Sequence, residues 1–398
     1  MKRRDFMCAA VPGALALLNA KLWAAGPGDA KLLVVMLRGA YDGASLLVPY
    51  SSEFYYRSRP GIAVPRPDSG GPDSGVALDA DWALNAAVGD SLHAMYAAKE
   101  AVFIPFSGSE DLSRSHFQAQ DLMELGQGSS SAPDYSSGYL NRLVEALAGA
   151  PAGVSFTNNL TPVFKGAVPV PNISFRGNMK NNLPPRQSEL IASLYEGTAL
   201  SGMATAGIET RKMVSGELMT EMTESSRGAG PARAFESQAR AIAKLMRDRS
   251  AYSIGFADVG GWDTHVDQGS AQGALAANLA GLSSGLAVYA REMGALWKST
   301  VVVVMSEFGR TFRENGNRGT DHGHGNTLWV LGGGIAGGRI AGRQIAVSEA
   351  SLFQNRDFPV LNDYRSVLAD LFARMYGLGG EALGRVLPGV KAEDYGFI

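Results

Sequence analysis

Residues 301–338 read VVVVMSEFGRTFRENGNRGTDHGHGNTLWVLGGGIAGG. Val301 to Met305 is an unbroken apolar run, mostly β-branched, as a strand buried on both faces of a parallel sheet requires. It stops abruptly at Ser306-Glu307-Phe308-Gly309-Arg310. Open α/β sheets bind ligands beyond the carboxyl ends of such strands. Asp321-His322-Gly323-His324 comes next, and then a second apolar run, Thr327 to Leu331. Two of the chain's five histidines lie in that loop, among glycines that let a backbone approach a ligand closely. The stretch predicts two core strands with a functional loop between them.

Working outward, Lys31 to Leu37, Ala101 to Phe106 and Tyr252 to Phe256 are further buried-strand segments. Each leads into a polar cluster. Asp42 comes after the first between glycines, as a metal-ligating or substrate-facing carboxylate or as the cap of the next turn. Ser113, Arg114, Ser115 and His116 come after the second, at the start of a helix that stops near Gly126. Free N–H groups at such a helix start favour an oxyanion or phosphate. Ser113 or Ser115 is a candidate nucleophile, Arg114 an anion clamp, and His116 a ligand or acid/base group. Asp258, Asp263, His265 and Asp267 come after the third strand on a glycine-rich loop. Hard carboxylates with an imidazole suit Zn²⁺, Mn²⁺, Fe or a mixed pair. His93, in a helical pattern from Ala83 to Lys99, has no metal-type side chain one turn away and reads as structural.

Alternating strands and helices predict an α/β fold, a central mostly parallel sheet sandwiched by helices. In such a sheet the polar ends converge on one edge. His116, His265, His322 and His324 would gather there with several carboxylates, the pattern of a metal-assisted hydrolase. Residues 150–250 contain no histidine or cysteine and read as a helical and loop insertion or lid. A long helix, Gly269 to Lys298, leads back to the central strand. Gly332, Gly334 and Gly337 match a dinucleotide fingerprint, but the chain continues into glycine and β-branched residues rather than a helix, so that reading is rejected.

Composition narrows the function. Lys and Arg number 36 against 38 Asp and Glu, a net charge of −2, so nucleic-acid binding has no electrostatic support. No apolar run after the first residues is long enough to span a bilayer. Arg3-Arg4, the apolar segment Val11 to Leu18 and the small residues near Ala25 predict a twin-arginine export signal over residues 1–26. The mature chain, 27–398, is then a single periplasmic or secreted domain that meets the twin-arginine translocon on export. The only cysteine, Cys8, lies in the signal, which removes disulfide and thiolate chemistry.

The stretches LRGAYDG, SRSHFQAQD, DVGGWDTH, SEFGRT and TDHGHG, with LGGGIAGG after them, span nearly the whole chain. Together they resemble the bacterial exported family of unknown function numbered 1501, which is similar to the alkaline phosphatase and sulfatase superfamily. The resemblance implies an alkaline-phosphatase-like sheet between helices, with one or two metals. It implies that Asp42 is the first-strand metal aspartate and that Ser115, or less well Ser113, is the nucleophile at the helix start. It places metal ligands among Asp258, Asp263 and His265, at tighter spacing than the superfamily's. Glu307 stands where the later aspartate would, and His322 or His324 where the final histidine would, with Asp321 beside them. The leading expectation is hydrolysis of phosphate or sulfate esters with a divalent metal (Zn, Mn, Ca or Mg), Arg114 or Arg310 holding the anion. The alternative is a non-catalytic exported protein that keeps the fold and binds a glycan or another secreted protein.

Overall fold

A computed structural model describes residues 30–129, 132–148, 151–158, 160–175, 194, 198, 231–249 and 252–398. The export signal and most of the expected lid lie outside the described residues. The main sheet contains eight strands: β1 (Lys31–Arg38), β2 (Ala101–Gly108), β3 (Ala152–Phe156), β4 (Tyr252–Gly260), β5 (Thr300–Ser306), β6 (Asn326–Leu331), β7 (Arg339–Ile340) and β8 (Asn362–Asp363). Their order is β7-β2-β6-β5-β1-β4-β3, with β8 also paired to β2.

Pairing is parallel between β1 and both β4 and β5, with Val34 opposite Phe256 on one side and Val303 on the other. Only β6 runs against its neighbours β2 and β5. The sheet is therefore mostly parallel, as expected. The reversed strand explains how the TDHGHG loop enters the sheet where the other strands end: Asn326, first in β6, lies opposite Ser107 near the end of β2. Strand β3 was not anticipated because Gly153 and Ser155 interrupt its apolar run, nor was β8, whose two residues leave no period-2 signal; β7 falls where the chain after Gly338 reads as hairpin-like rather than helical.

Alternate side chains of β1 serve two cores. Leu33, Val35 and Leu37 join a core with helices Pro231–Asp248 (α3) and Ala274–Met293 (α4). Leu32, Val34 and Met36 join the opposite core with Tyr139–Ala146 (α2), Tyr364–Tyr376 (α5) and Gly380–Val386 (α6). Both faces are buried, which is why the central strands are apolar throughout rather than alternating. On α4 the buried Leu275, Leu279, Leu282, Leu286, Tyr289 and Met293 repeat every three or four residues, the stripe a helix lays on a sheet.

Several expected helices are shorter than their patterns. The Ala83–Lys99 segment begins as a strand of a small three-stranded antiparallel sheet and becomes helical only in short turns. The helix expected from residue 269 starts at Ala274, after Gly269 and Gly273 turn the chain with positive φ. No helix begins at Gly337; the chain passes into β7, so the rejected dinucleotide fingerprint lacks its helix here too. No helix among the described residues is long and apolar enough to cross a membrane.

Candidate metal centre

Four loops meet at the carboxyl edge of the sheet. Helix α1 (His116–Leu125) starts right after Ser115, with extended backbone, and ends at Gly126 in the left-handed conformation. This places His116 in the first turn. SEFGRT after β5 and TDHGHG before β6 pair with each other: Gly309 N–H donates to the His324 carbonyl at 2.7 Å and Gly323 N–H to the Gly309 carbonyl at 2.8 Å. A Cβ on Gly309 would sit 1.9 Å from the Gly325 carbonyl oxygen, and one on Gly323 would meet the Arg310 carbonyl at 2.4 Å. The glycines thus permit the backbones of the two stretches to approach each other. The loop after β4 is pinned to the same layer, because Thr320 N–H donates to the Thr264 carbonyl and Gln268 N–H to that of Arg318.

These constraints bring four expected residues together. The ligating atoms of His116, Asp263 and His322 all lie within 4.8 Å of one another. His116 Nε2 is 2.9 Å from His322 Nε2. His322 Nε2 is 3.3 Å from Asp263 Oδ1, and His116 Nε2 is 3.5 Å from Asp263 Oδ2. His265 joins from the Asp263 side, its Nε2 2.9 Å from Asp263 Oδ1 and 3.2 Å from His322 Nε2.

The other nitrogen of each ring fixes its tautomer. His322 Nδ1 lies 3.0 Å from the Arg114 carbonyl oxygen, which can only accept. His116 Nδ1 lies 2.7 Å from Glu307 Oε1 and His265 Nδ1 3.1 Å from Asp321 Oδ1, and both carboxylates accept. Each neutral ring therefore carries its proton on Nδ1 and turns an Nε2 lone pair toward the others and toward an anionic carboxylate. Lone pairs and negative charge facing one another at these distances require a proton or a cation between them. Ligand atoms about 2.0–2.1 Å from one ion stand roughly 3.3 Å apart in a tetrahedron, close to the separations here. The donor set fits a metal ion. Imidazoles favour zinc or iron over calcium and magnesium, which prefer oxygen.

The same contacts also set which groups hold protons. The hydrogen bond to Glu307 holds the His116 pKa above 6.5, while burial and the His116 charge hold that of His322 below it. Burial opposes ionisation of Asp263, but the Arg310 guanidinium, donating to Oδ1 at 2.5 Å, outweighs it and lowers the pKa. Burial likewise opposes ionisation of Glu307. His116 and Gln120 overcome it, and Gly39 N–H donates to Oε1 at 2.8 Å.

The remaining expected residues lie elsewhere. Glu307 and Asp321 hold histidine rings from behind, at Nδ1, rather than joining the Nε2 cluster. Asp42 is committed to a buried bidentate pair with Arg59, at 2.5 and 3.1 Å, with Ser45 and Gln268 also donating to it. That carboxylate is saturated and does not reach the histidines' cluster. Asp258 accepts from Arg38 at 2.8 Å. His324 turns away and packs against the Phe353 ring, 4.9 Å between centroids. Arg310, expected to clamp an anion, is buried and donates to Asp263 and to the Thr320 carbonyl. Arg114 spends its guanidinium on Asp357, at 2.8 Å, and on Gln354, while its carbonyl orients His322. Ser113 donates to Asp111 at 2.5 Å. Ser115 does not cap its helix with its hydroxyl. His93 sits in a short turn outside the cluster.

Sequence reasoning missed Arg59, Gln268, Thr320, Gln120 and Arg38 as supporting residues. Only Gln120 had a signal, its place one helical turn after His116.

The model of a family described as "Protein of unknown function (DUF1501)" matches residues 29–390. The chain belongs to this family. No curated protein matches it. Among solved structures it is similar to a protein in the alkaline phosphatase superfamily from Vibrio parahaemolyticus, at 11% identity and a TM-score of 0.39, covering 92% of this chain and 71% of that one. It is also similar to Ps i-CgsB in complex with k-i-k-neocarrahexaose, at 8% identity and a TM-score of 0.39, covering 89% and 73%. A third is the lipoteichoic acid synthase LtaP from Listeria monocytogenes, at 7% identity and a TM-score of 0.37, covering 90% and 74%.

Proposed function

We propose that this protein is an exported metal-dependent hydrolase of phosphate or sulfate esters that uses a hydroxyl nucleophile. The observation that carries the proposal is the inward turn of three Nε2 lone pairs around Asp263, each ring locked by an acceptor at Nδ1. His116, His322, His265 and Asp263 would hold the ion, with zinc the best match to these donors. Such an ion, when bound, polarises an ester oxygen and lowers the pKa of a nearby hydroxyl or water.

The chain's own residues divide the remaining work. Ser115 precedes His116, and its hydroxyl is not consumed by helix capping. It is the assigned nucleophile; Ser113 is turned to Asp111. The free N–H groups of the first turn of α1 favour a developing oxyanion beside it. Glu307, Asp321 and the Arg114 carbonyl fix the three rings. Arg310 keeps Asp263 ionised and aimed. The twin-arginine signal in residues 1–26 supports export to the periplasm or beyond.

The competing reading is a non-catalytic exported binding protein. It is favoured by the engagement of both expected anion-clamping arginines with carboxylates. Metal analysis of the mature protein, with a screen of phosphate and sulfate esters, decides between them. Bound transition metal lost in His265→Ala and His322→Ala, with turnover lost in Ser115→Ala at unchanged metal content, supports the hydrolase. Metal without any ester turnover supports the binder. No metal after supplying Zn²⁺ and Mn²⁺ sinks the metallohydrolase.

A further inference from the structure

Gln120 lies on α1 four residues after His116, so the two side chains rise from the same face. Its amide bridges two groups of opposite demand. Arg38 Nη1 donates to Gln120 Oε1 at 2.8 Å, and Gln120 Nε2 donates to Glu307 Oε1 at 2.8 Å. A guanidinium can only donate and a carboxylate only accept, so one orientation of the amide satisfies both. The other would set donor against donor and acceptor against acceptor.

Arg38 is itself fixed. Its other nitrogens donate to Asp258 at 2.8 Å and to the buried Glu124 at 2.7 Å. Glu307 Oε1 collects three donors: Gly39 N–H, Gln120 Nε2 and His116 Nδ1. Its Oε2 lies 2.9 Å from the Ser306 hydroxyl, whose single proton is shared with the Leu37 carbonyl at 2.6 Å. The carboxylate that dictates the His116 tautomer is thus held from strand ends β1 and β5 and from the helix that carries His116 itself.

We infer that Gln120, set by Arg38, is a positioning residue for His116: it fixes Glu307 so that His116 presents a bare Nε2 to the metal cluster. The inference rests on the proposed metal site but is testable apart from activity. Residues outside a metal's direct ligands commonly change its affinity 10–100-fold when altered.

Two variants keep the test clear of misfolding. Gln120→Glu preserves shape and the Arg38 contact but sets acceptor against acceptor at Glu307. Gln120→Met preserves volume and removes both hydrogen bonds. The readouts are zinc affinity by chelator competition and nitrogen NMR of the histidine rings in metal-free protein at alkaline pH. With unchanged circular dichroism, both variants are expected to bind zinc about 10–100-fold more weakly and to lose the single Nδ1–H form of His116. In a Glu307→Gln background, Gln120→Glu should cost much less than it does alone, because its target is gone. Wild-type affinity and an unchanged His116 spectrum in both variants would overturn the inference. So would an equal loss with and without Glu307. If the wild type takes up neither zinc nor manganese, the hydrolase reading fails, and the ring spectrum alone still decides the role of Gln120.

Discussion

At the scale of single residues, the chemistry depends on which carboxylates are spoken for. Asp42, Asp258 and Asp263 look alike in sequence, each a polar residue after a core strand. Partners separate them. Asp42 is buried against Arg59, Asp258 faces Arg38, and Asp263 keeps an oxygen toward the histidines while Arg310 holds it. Arg310→Met should therefore leave the proposed ligands His116, His265, His322 and Asp263 in place yet weaken zinc binding by roughly 10–100-fold, read by chelator competition. Asp42→Asn should act on stability instead. Stranding Arg59 in the core is expected to cost about 3–5 kcal/mol, measured by urea unfolding at neutral pH, with metal content per folded chain unchanged. The partners also set the sign with pH. Burial opposes ionisation of Asp42, but Arg59 wins and holds the folded pKa below 3.8. The ionic contribution is then complete above 3.8 and is lost as pH falls below it. The gap between wild type and variant should narrow over that acidic range and stay constant above it.

At the scale of elements, the site is made by pairing between loops. SEFGRT and TDHGHG are separated by a short run of turn, yet a bridge between Arg310 and His322 sets both. Gly309→Ala tests this. Its Cβ would overlap the Gly325 carbonyl, and backbone there has no flexible end to yield. Overpacking of this kind costs about 1–3 kcal/mol. The expected result is a lower melting temperature together with lost zinc binding, whereas Gly316→Ala, in open space in the same loop region, should change neither. The core strands and the start of α1 were legible, because doubly buried strands are continuously apolar and serine is favoured in the extended position before a helix, which Ser115 occupies without its hydroxyl capping. Strand β3 was not, because Gly153 and Ser155 break its apolar run, nor was β8, whose two residues show no period. The roles of His324 and His322 could not be told apart from position; only the backbone pairing turns one ring into the cluster and the other onto Phe353.

At the scale of the whole molecule, loops from three distant parts of the chain must come together before the cluster exists, so an ion bound there should report on folding. Zinc at about a hundredfold over its dissociation constant should stabilise the protein by about 2.7 kcal/mol. Calorimetry with and without zinc, and then after chelation, should show a melting temperature that rises and returns, and His322→Ala should show no rise. The class of fold was legible in the sequence, as were four histidines at strand ends, of which folding gathers His116, His265 and His322 and turns His324 onto Phe353. They were legible because burial writes itself into composition along each strand, and because polar residues at strand ends have few other reasons to be there. Which residues ligate, which orient and which only hold the core together was decided by the tertiary structure. Those roles depend on the partner each side chain finds across more than a hundred residues of chain, as Arg38 finds Asp258 and His116 finds Glu307. Hydrogen-bond direction and desolvation act only on groups already brought together, and nothing local in the chain encodes that meeting.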